Sequence, residues 1–229
     1  MANNANMTPS FGLFGKSKHM VVNNWKVFGL IYLPSLLFAL SSNFTSTSEK
    51  VVNIGPYKLS ISSISGSTSL VGIIILAVLL YIILEVLIQI FLQLLTYHTA
   101  NGGAPSISAL WQDVKKYGWR LVNLWLTVGV YIIGGLLLFI VPGIIMFRKY
   151  FLSGYYLIDR DLTTKEAMKL SAEQSSKYSG SIWGILGVGI VLSLSGIVPF
   201  VGGLLSAILA ALYSVAPALR YFEIKKAES

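Results

Sequence analysis

Apolar residues gather into long blocks along the whole sequence, and this pattern limits the fold more than any other feature. The longest block spans residues 70–97 and contains a single charged residue, Glu85. About 20 mostly apolar residues suffice for a helix that crosses a bilayer. With 55% hydrophobic and only 11% charged residues, a water-soluble fold would leave large apolar patches exposed. The sequence therefore predicts an integral membrane protein.

The predicted fold is an all-α polytopic bundle, a single membrane domain over residues 1–229. About six transmembrane helices are expected, at 27–42, 70–97, 121–141, 144–158, 182–198 and 203–219. Pro142-Gly143 should separate the third span from the fourth, because proline breaks a helix. For the first span, a cleaved signal peptide is the alternative. A retained anchor is favoured, since roughly 26 residues precede the apolar run.

Basic residues predict the orientation of these spans. With both termini in the cytoplasm, 13 of the 17 Lys and Arg residues fall inside, and only Lys50 and Lys58 fall outside. Cytoplasmic loops carry such an excess of Lys and Arg. The sequence therefore predicts a multi-pass protein of the cell (inner) membrane, whose cytoplasmic face attracts anionic lipid.

Segments between the spans carry weaker signals. Residues 106–120 place Leu110, Trp111 and Val114 on one helical face, which predicts an amphipathic helix in the headgroup plane. Residues 163–177 begin with a capping box, Thr163 to Glu166, and predict a second such helix. Residues 11–26 are a third, less regular candidate. The outer loop, 43–69, has β-forming residues around Gly55-Pro56, and a short hairpin and a flexible loop remain equally compatible with it.

Polar side chains inside the predicted spans are the candidate functional residues. Glu85, Gln89 and Gln93 follow one another at four-residue steps and share one face of a helix. Charges in hydrocarbon cost at least about 2.5–3.5 kcal/mol, so Glu85, Arg148 and Lys149 should face protein or water. Glu85 and Arg148 are expected at the same depth within roughly 2 Å, which makes an ion pair between them a hypothesis. A structural pair is favoured over a polar path for an ion or lipid headgroup.

The sequence gives little support for other classes of functional site. Cysteine is absent and the two histidines, His19 and His98, are far apart, so no metal site is expected. Asp159 and Asp161 resemble paired carboxylates but are better explained as helix caps. His98 near Asp113 is a weak pair at the inner surface. We expect no enzyme activity, no cofactor and no nucleic-acid partner.

Small residues at every fourth position of the last two spans, among them Gly180 and Gly184, let helices approach closely. Packing within the chain is favoured over pairing with a second copy. A membrane-protein partner or a homo-oligomer remains an alternative.

One part of the sequence resembles a known family. Residues 142–148 read PGIIMFR, and residues 167–171 read AMKLS and are followed by a Gly-rich span. These runs resemble motifs of the glycerophosphoryl diester phosphodiesterase membrane-domain superfamily, which includes small bacterial inner-membrane proteins without the catalytic domain. The resemblance covers about a fifth of the chain. It implies a six-helix membrane domain and argues against phosphodiesterase activity, because the sequence has too few His and acidic residues for that site.

Two functions are compatible with these features. The favoured one is a non-enzymatic membrane role in which the protein interacts with lipids or partners. The alternative is a small transporter or channel that uses Glu85, Gln89, Gln93 and Arg148. A water-accessible cavity that touches Glu85 would favour the transporter, and its absence would favour the first function.

Overall fold

The computed structural model describes residues 7–43, 51–54, 57–60, 68–197 and 202–228. Apart from one short hairpin, these residues form helices joined by short connections. In chain order the elements are α1 (Ser10–Asn23), α2 (Trp25–Asn43), β1 (Val51–Ile54), β2 (Tyr57–Ser60), α3 (Thr68–Ala100), α4 (Ile107–Leu138), α5 (Ile140–Tyr150), α6 (Ser153–Arg160), α7 (Thr164–Lys177), α8 (Ser179–Ser193), a 3-10 helix (Leu194–Ile197), α9 (Gly202–Tyr213) and α10 (Ala216–Glu228).

Four helical stretches are long and apolar enough to cross a membrane. They are Ile75–Ala100, Ile107–Leu138, Ser179–Ile197 and Gly202–Glu228, the last of which joins α9 and α10. Large apolar side chains cover the outward faces of these stretches: Leu79 and Ile133, for example, are 51% and 59% exposed. Helices satisfy their own backbone hydrogen bonds and so tolerate a lipid environment. Length and composition therefore fit a membrane protein.

The predicted boundary between an interfacial helix and the third span does not exist, because α4 continues through residue 120 without a break. The predicted apolar face is buried only in part: Leu110 and Val114 are buried, together with Tyr117 and Leu121, whereas Trp111 is 46% exposed. The four buried side chains pack within the main hydrophobic core of the protein rather than lying on a headgroup plane. Amphipathic spacing identifies which face is apolar, but not whether protein or lipid covers it.

The break after α4 lies at Phe139, whose extended backbone has φ −162° and ψ 153°. Pro142 then falls in the first turn of α5, where its missing N–H leaves no hydrogen bond unmade. α4 and α5 form a close hairpin over two glycines, because a Cβ atom on Gly135 would lie 3.0 Å from the Cα of Gly143. The break is thus three residues earlier than the expected proline.

The fourth apolar segment forms two helices, α5 and α6, with a turn at Phe151 and Leu152. α6 is enclosed by the rest of the chain, and residues 152–158 are all buried. α7 begins where the capping box predicted: the Thr163 side chain accepts from the Glu166 amide, and the Glu166 carboxylate accepts from the Thr163 amide. α7 buries Ala167, Met168 and Ser171 against the protein, and the Ser171 hydroxyl donates to the Lys149 carbonyl at 2.8 Å.

The amino-terminal helix α1 packs against the helices at the other end of the chain. The Ser17 hydroxyl is fully buried, donates to the Leu212 carbonyl at 2.6 Å and accepts from the Val215 amide at 3.2 Å. These two bonds stabilise the junction between α9 and α10. Gly184 of α8 lies against Ser10 of α1, so close that a Cβ atom there would overlap the Ser10 hydroxyl. At Gly184, the small residue therefore serves packing within the chain.

The two described segments of residues 43–69 that precede α3 form a two-stranded antiparallel hairpin. β1 pairs with β2, with Val51 opposite Ser60 and Ile54 opposite Tyr57. Of the two alternatives that the sequence left open for residues 51–61, the hairpin is the one formed by the described residues. The other residues of this loop, 44–50, 55–56 and 61–67, lie outside the described part of the chain.

Candidate functional site

The polar stripe predicted on α3 lies along one side of a cavity. Glu85, Gln89, Gln93 and Thr96 all contribute to its lining. The Gln89 amide donates to the Glu85 carboxylate at 3.4 Å, and the Thr96 hydroxyl lies 3.3 Å from the Tyr155 hydroxyl. The regular four-residue step of an α-helix brings these side chains to one face. Glu85, Gln89 and Gln93 therefore form one site.

The cavity has a volume of about 590 Å³ and is open on part of its surface. Volumes of about 300–1,000 Å³ are typical of sites for small organic ligands. Of the described residues that line the cavity, Glu85 is the only charged one. The full lining is Tyr32, Glu85, Val86, Gln89, Leu92, Gln93, Thr96, Trp125, Phe147, Phe151, Tyr155, Ser214 and Pro217.

Aromatic rings from several helices form the walls that face the polar stripe. Tyr32 comes from α2, Trp125 from α4, Phe147 from α5 and Tyr155 from α6, while Phe151 lies in the turn between α5 and α6. Most of the lining surface is therefore apolar, with a few polar groups gathered on α3. Such a lining is typical of pockets in which a few polar groups orient a largely apolar ligand.

Gln93 lines both this cavity and a smaller one of about 160 Å³. The two cavities share Gln93, Trp125, Phe147 and Phe151. Gln93 also packs directly on Gly154 of α6, because a Cβ atom on Gly154 would overlap the Gln93 amide. The absence of a side chain at Gly154 therefore sets the position of Gln93.

Arg148 and Lys149 do not complete the polar stripe. The Arg148 guanidinium carbon lies 5.9 Å from the centroid of the Trp183 ring on α8, and its buried Nε has no hydrogen-bond partner. Phe147 of α5 and Phe151, in the turn that follows α5, both line the cavity. Helical geometry directs Arg148 about 100° away from Phe147 around the helix axis. Lys149 contacts α7 through its carbonyl. Neither cation lines either cavity.

The predicted ion pair between Glu85 and Arg148 is not formed. Among the residues that the structure describes, neither side chain takes part in any ion pair. Agreement in depth along two helices does not fix their rotation, and α5 is rotated so that its aromatic face covers the cavity. Glu85 is left as a carboxylate within the cavity without a cationic partner.

A carboxylate outside the predicted site is the centre of a polar cluster that joins three helices. Asp159, at the end of α6, accepts hydrogen bonds from Tyr97 of α3 at 2.8 Å and from Tyr221 of α10 at 2.7 Å. Lys225 of α10 donates to both of its oxygens at 2.9 and 2.7 Å. Burial raises the pKa of Asp159, but the hydrogen bonds from Lys225, Tyr221 and Tyr97 outweigh it and hold the pKa below its ordinary value.

This role of Asp159 is not predictable from the sequence. Its partners are 62 and 66 residues away along the chain, and no spacing rule connects them. Asp161 does cap α6, as expected, in a left-handed conformation with φ +52°. Arg120 of α4 binds its carboxylate, and this hydrogen bond lowers the pKa of Asp161.

His98 and Asp113 lie together, with Nε2 and Oδ2 2.7 Å apart, and join the end of α3 to the first turns of α4. Both side chains are partly exposed. In the described part of the chain, no group of three His, Cys, Asp or Glu residues is placed to hold a metal ion.

Comparison with known proteins identifies no relative of this chain. No protein-family model, curated protein or solved structure matches the chain. The site must therefore be interpreted from its own residues.

Proposed function

We propose that this protein is a small multi-pass transporter whose substrate site is the cavity around Glu85, Gln89 and Gln93. One observation carries the proposal: Glu85, the only charged residue among the described lining residues, faces a partly open cavity of about 590 Å³ between apolar helices. A carboxylate within the membrane is costly and marks a substrate or ion pathway more often than a packing contact. Arg148 acts as a packing residue against Trp183 in this account.

The proposal includes six spans, with both termini cytoplasmic and the chain in the cell membrane. The 13-to-2 distribution of basic residues supports this orientation. The first apolar segment and the segment of α5 and α6 would add two spans to the four that length and composition support. Membership of the glycerophosphoryl diester phosphodiesterase membrane-domain superfamily, without its enzyme, is part of the same proposal and rests on residues 142–184 alone.

Lipid binding is the second candidate, and a different surface favours it. An apolar groove of about 270 Å³ lies between α1, α2 and α9 and is lined by residues such as Val22, Trp25 and Ile208. Its dimensions and lining fit part of an acyl chain. The basic residues of the predicted cytoplasmic face would attract anionic headgroups. This surface alone supports a lipid-interacting role without transport.

Labelling of single cysteines tests the transport proposal, because the natural chain has no cysteine. Gln89→Cys places a thiol in the cavity, whereas Ile83→Cys, at a 57% exposed apolar position outside the lining, serves as the lipid-facing control. Membrane-impermeant cationic and anionic methanethiosulfonates are applied to intact cells and to inverted vesicles. A transport site predicts that at least one reagent labels position 89 from both sides, and that position 83 stays unlabelled.

Labelling from only one side would overturn transport and leave a binding site. No labelling of position 89 from either side would contradict the water-accessible cavity itself.

A further inference from the structure

We propose that the cavity is selective for organic cations, with Glu85 as the counter-charge and the aromatic walls as the surface that holds the cation. This inference rests on the proposed function and names its substrate class. It requires three properties of the site: uncompensated negative charge, π-faces around it, and enough volume for an organic ligand.

The first property is the charge of the site. Glu85 is the only charged residue among the described lining residues, and it forms no ion pair there. Arg148 on α5, which the sequence predicted as the partner of Glu85, lies against Trp183 instead. An unpaired carboxylate in a largely apolar site is costly even where water reaches part of it. A bound cation supplies that pairing, whereas a bound anion would add repulsion.

The second property is the nature of the walls. Tyr32, Trp125, Phe147, Phe151 and Tyr155 surround the space next to the stripe. The face of an aromatic ring carries negative electrostatic potential and attracts ammonium groups, and sites for quaternary ammonium ligands use such rings together. These rings also fit the apolar substituents of an organic cation.

The same walls argue against a metal ion as the substrate. Ca²⁺ needs six to eight oxygen ligands, and Mg²⁺ needs a near-ideal octahedron of oxygens. Four of the oxygen-bearing lining residues, Glu85, Gln89, Gln93 and Thr96, lie on α3, and Glu85 is the only carboxylate among them. Away from α3, the described lining adds only the hydroxyl groups of Tyr32, Tyr155 and Ser214, among aromatic and apolar side chains. A small inorganic ion would therefore lose water ligands without replacement, but an organic cation has few to lose.

Two ions of nearly identical size and opposite charge give the sharpest test. Binding of tetraphenylphosphonium and of tetraphenylborate to the detergent-purified full chain is measured by isothermal titration. Wild type should bind the phosphonium at least about tenfold more tightly than the borate. Glu85→Gln should lower the phosphonium affinity by about tenfold or more. Glu173→Gln, the same change at an exposed position of α7, should leave the affinity unchanged.

Protection of the cysteine at position 89 keeps the test independent of how Glu85→Gln folds. In Gln89→Cys, which retains Glu85, tetraphenylphosphonium should slow thiol labelling and tetraphenylborate should not. Equal affinity for the two ions, no binding of either, or equal protection by both would overturn cation selectivity. Continued two-sided labelling of position 89 in those cases would leave the transport proposal standing, so the two failures are distinguishable.

Discussion

Lys225 donates to both carboxylate oxygens of Asp159, at 2.9 and 2.7 Å, and so joins the last helix to the short buried helix α6. The Asp159 side chain is only 6% exposed, and the hydrogen bond from the Tyr97 hydroxyl connects it to α3. The three helices α3, α6 and α10, each of which contributes residues to the cavity lining, therefore meet at one carboxylate. Its removal should loosen their arrangement even though it lies outside the cavity lining.

Asp159→Asn should lower the stability of the protein by about 1.5–3 kcal/mol, because hydrogen bonds to a charged group are lost. The measurement is the melting temperature in mild detergent. Asp161→Asn is the matched control: the Asp161 side chain is 58% exposed, and an exposed ion pair contributes little to stability. Equal losses in the two variants would contradict the role assigned to Asp159.

The contribution of Asp159 should also depend on pH with a definite sign. Its pKa in the folded protein is held below the ordinary value, which is about 3.9 in an unfolded chain. The carboxylate therefore adds stability above that pH and loses it as pH falls through the folded-state pKa. The difference in melting temperature between wild type and Asp159→Asn should shrink below about pH 4. A difference that grows in acid would contradict this assignment.

Two adjacent glycines of α4 should respond oppositely to alanine. A Cβ atom on Gly135 would press on the backbone of Gly143, whereas one on Gly134 meets nothing within 4 Å. Gly135→Ala should destabilise the α4–α5 hairpin by about 1–3 kcal/mol, as overpacking does. Gly134→Ala should be neutral or stabilising by up to about 1 kcal/mol, because alanine favours a helix. Thermal unfolding of both variants checks this, and similar shifts would contradict the hairpin geometry.

Gly154 and Gln93 should be coupled, since the glycine leaves space for the amide side chain. Gly154→Ala should lower the melting temperature by an amount equivalent to about 1–3 kcal/mol. Adding Gln93→Ala to Gly154→Ala should restore most of that loss, because the displaced side chain is then absent. If the second change brings no recovery, Gln93 does not occupy the space above Gly154.

Local signals in the sequence predicted the features that depend on neighbouring residues. Thr163 and Glu166 identified the start of α7, and the spacing of Glu85, Gln89 and Gln93 identified a shared face. These features follow from helix geometry and capping alone.

Features that depend on how helices are rotated or paired were not predictable in this way. Arg148 was placed at the depth of Glu85, but depth along a helix says nothing about direction around it. The contacts of Asp159 join residues that only the tertiary fold brings together. Of the predicted stripe, Leu110 and Val114 pack in the protein core, whereas Trp111 is exposed, and helical spacing alone does not separate the two cases.

The predicted topology is tested by labelling single cysteines from one side of the membrane. Cysteines at Ser46 and Ser62, in the predicted outer loop, should be labelled in intact cells, and one at Ser108 should not. For the segment of α7, Ser175 is a poor position because it is fully buried, whereas the neighbouring Ser176 is exposed. A cysteine at Ser176 should react only after permeabilisation. Its labelling from outside would remove the fourth span.

The central claim is that Glu85 is an unpaired carboxylate in a cavity, and a double-mutant cycle with Arg148 tests it most directly. The free energy of unfolding is compared for wild type, Glu85→Gln, Arg148→Gln and the double variant in the same detergent. Independent sites add within about 0.3–0.5 kcal/mol, whereas residues in contact couple by about 0.5–3 kcal/mol. We expect additive effects, because Arg148 lies against Trp183 and Glu85 faces the cavity. A double variant that recovers much of the loss of each single variant would show that the two charges pair, and would contradict the account.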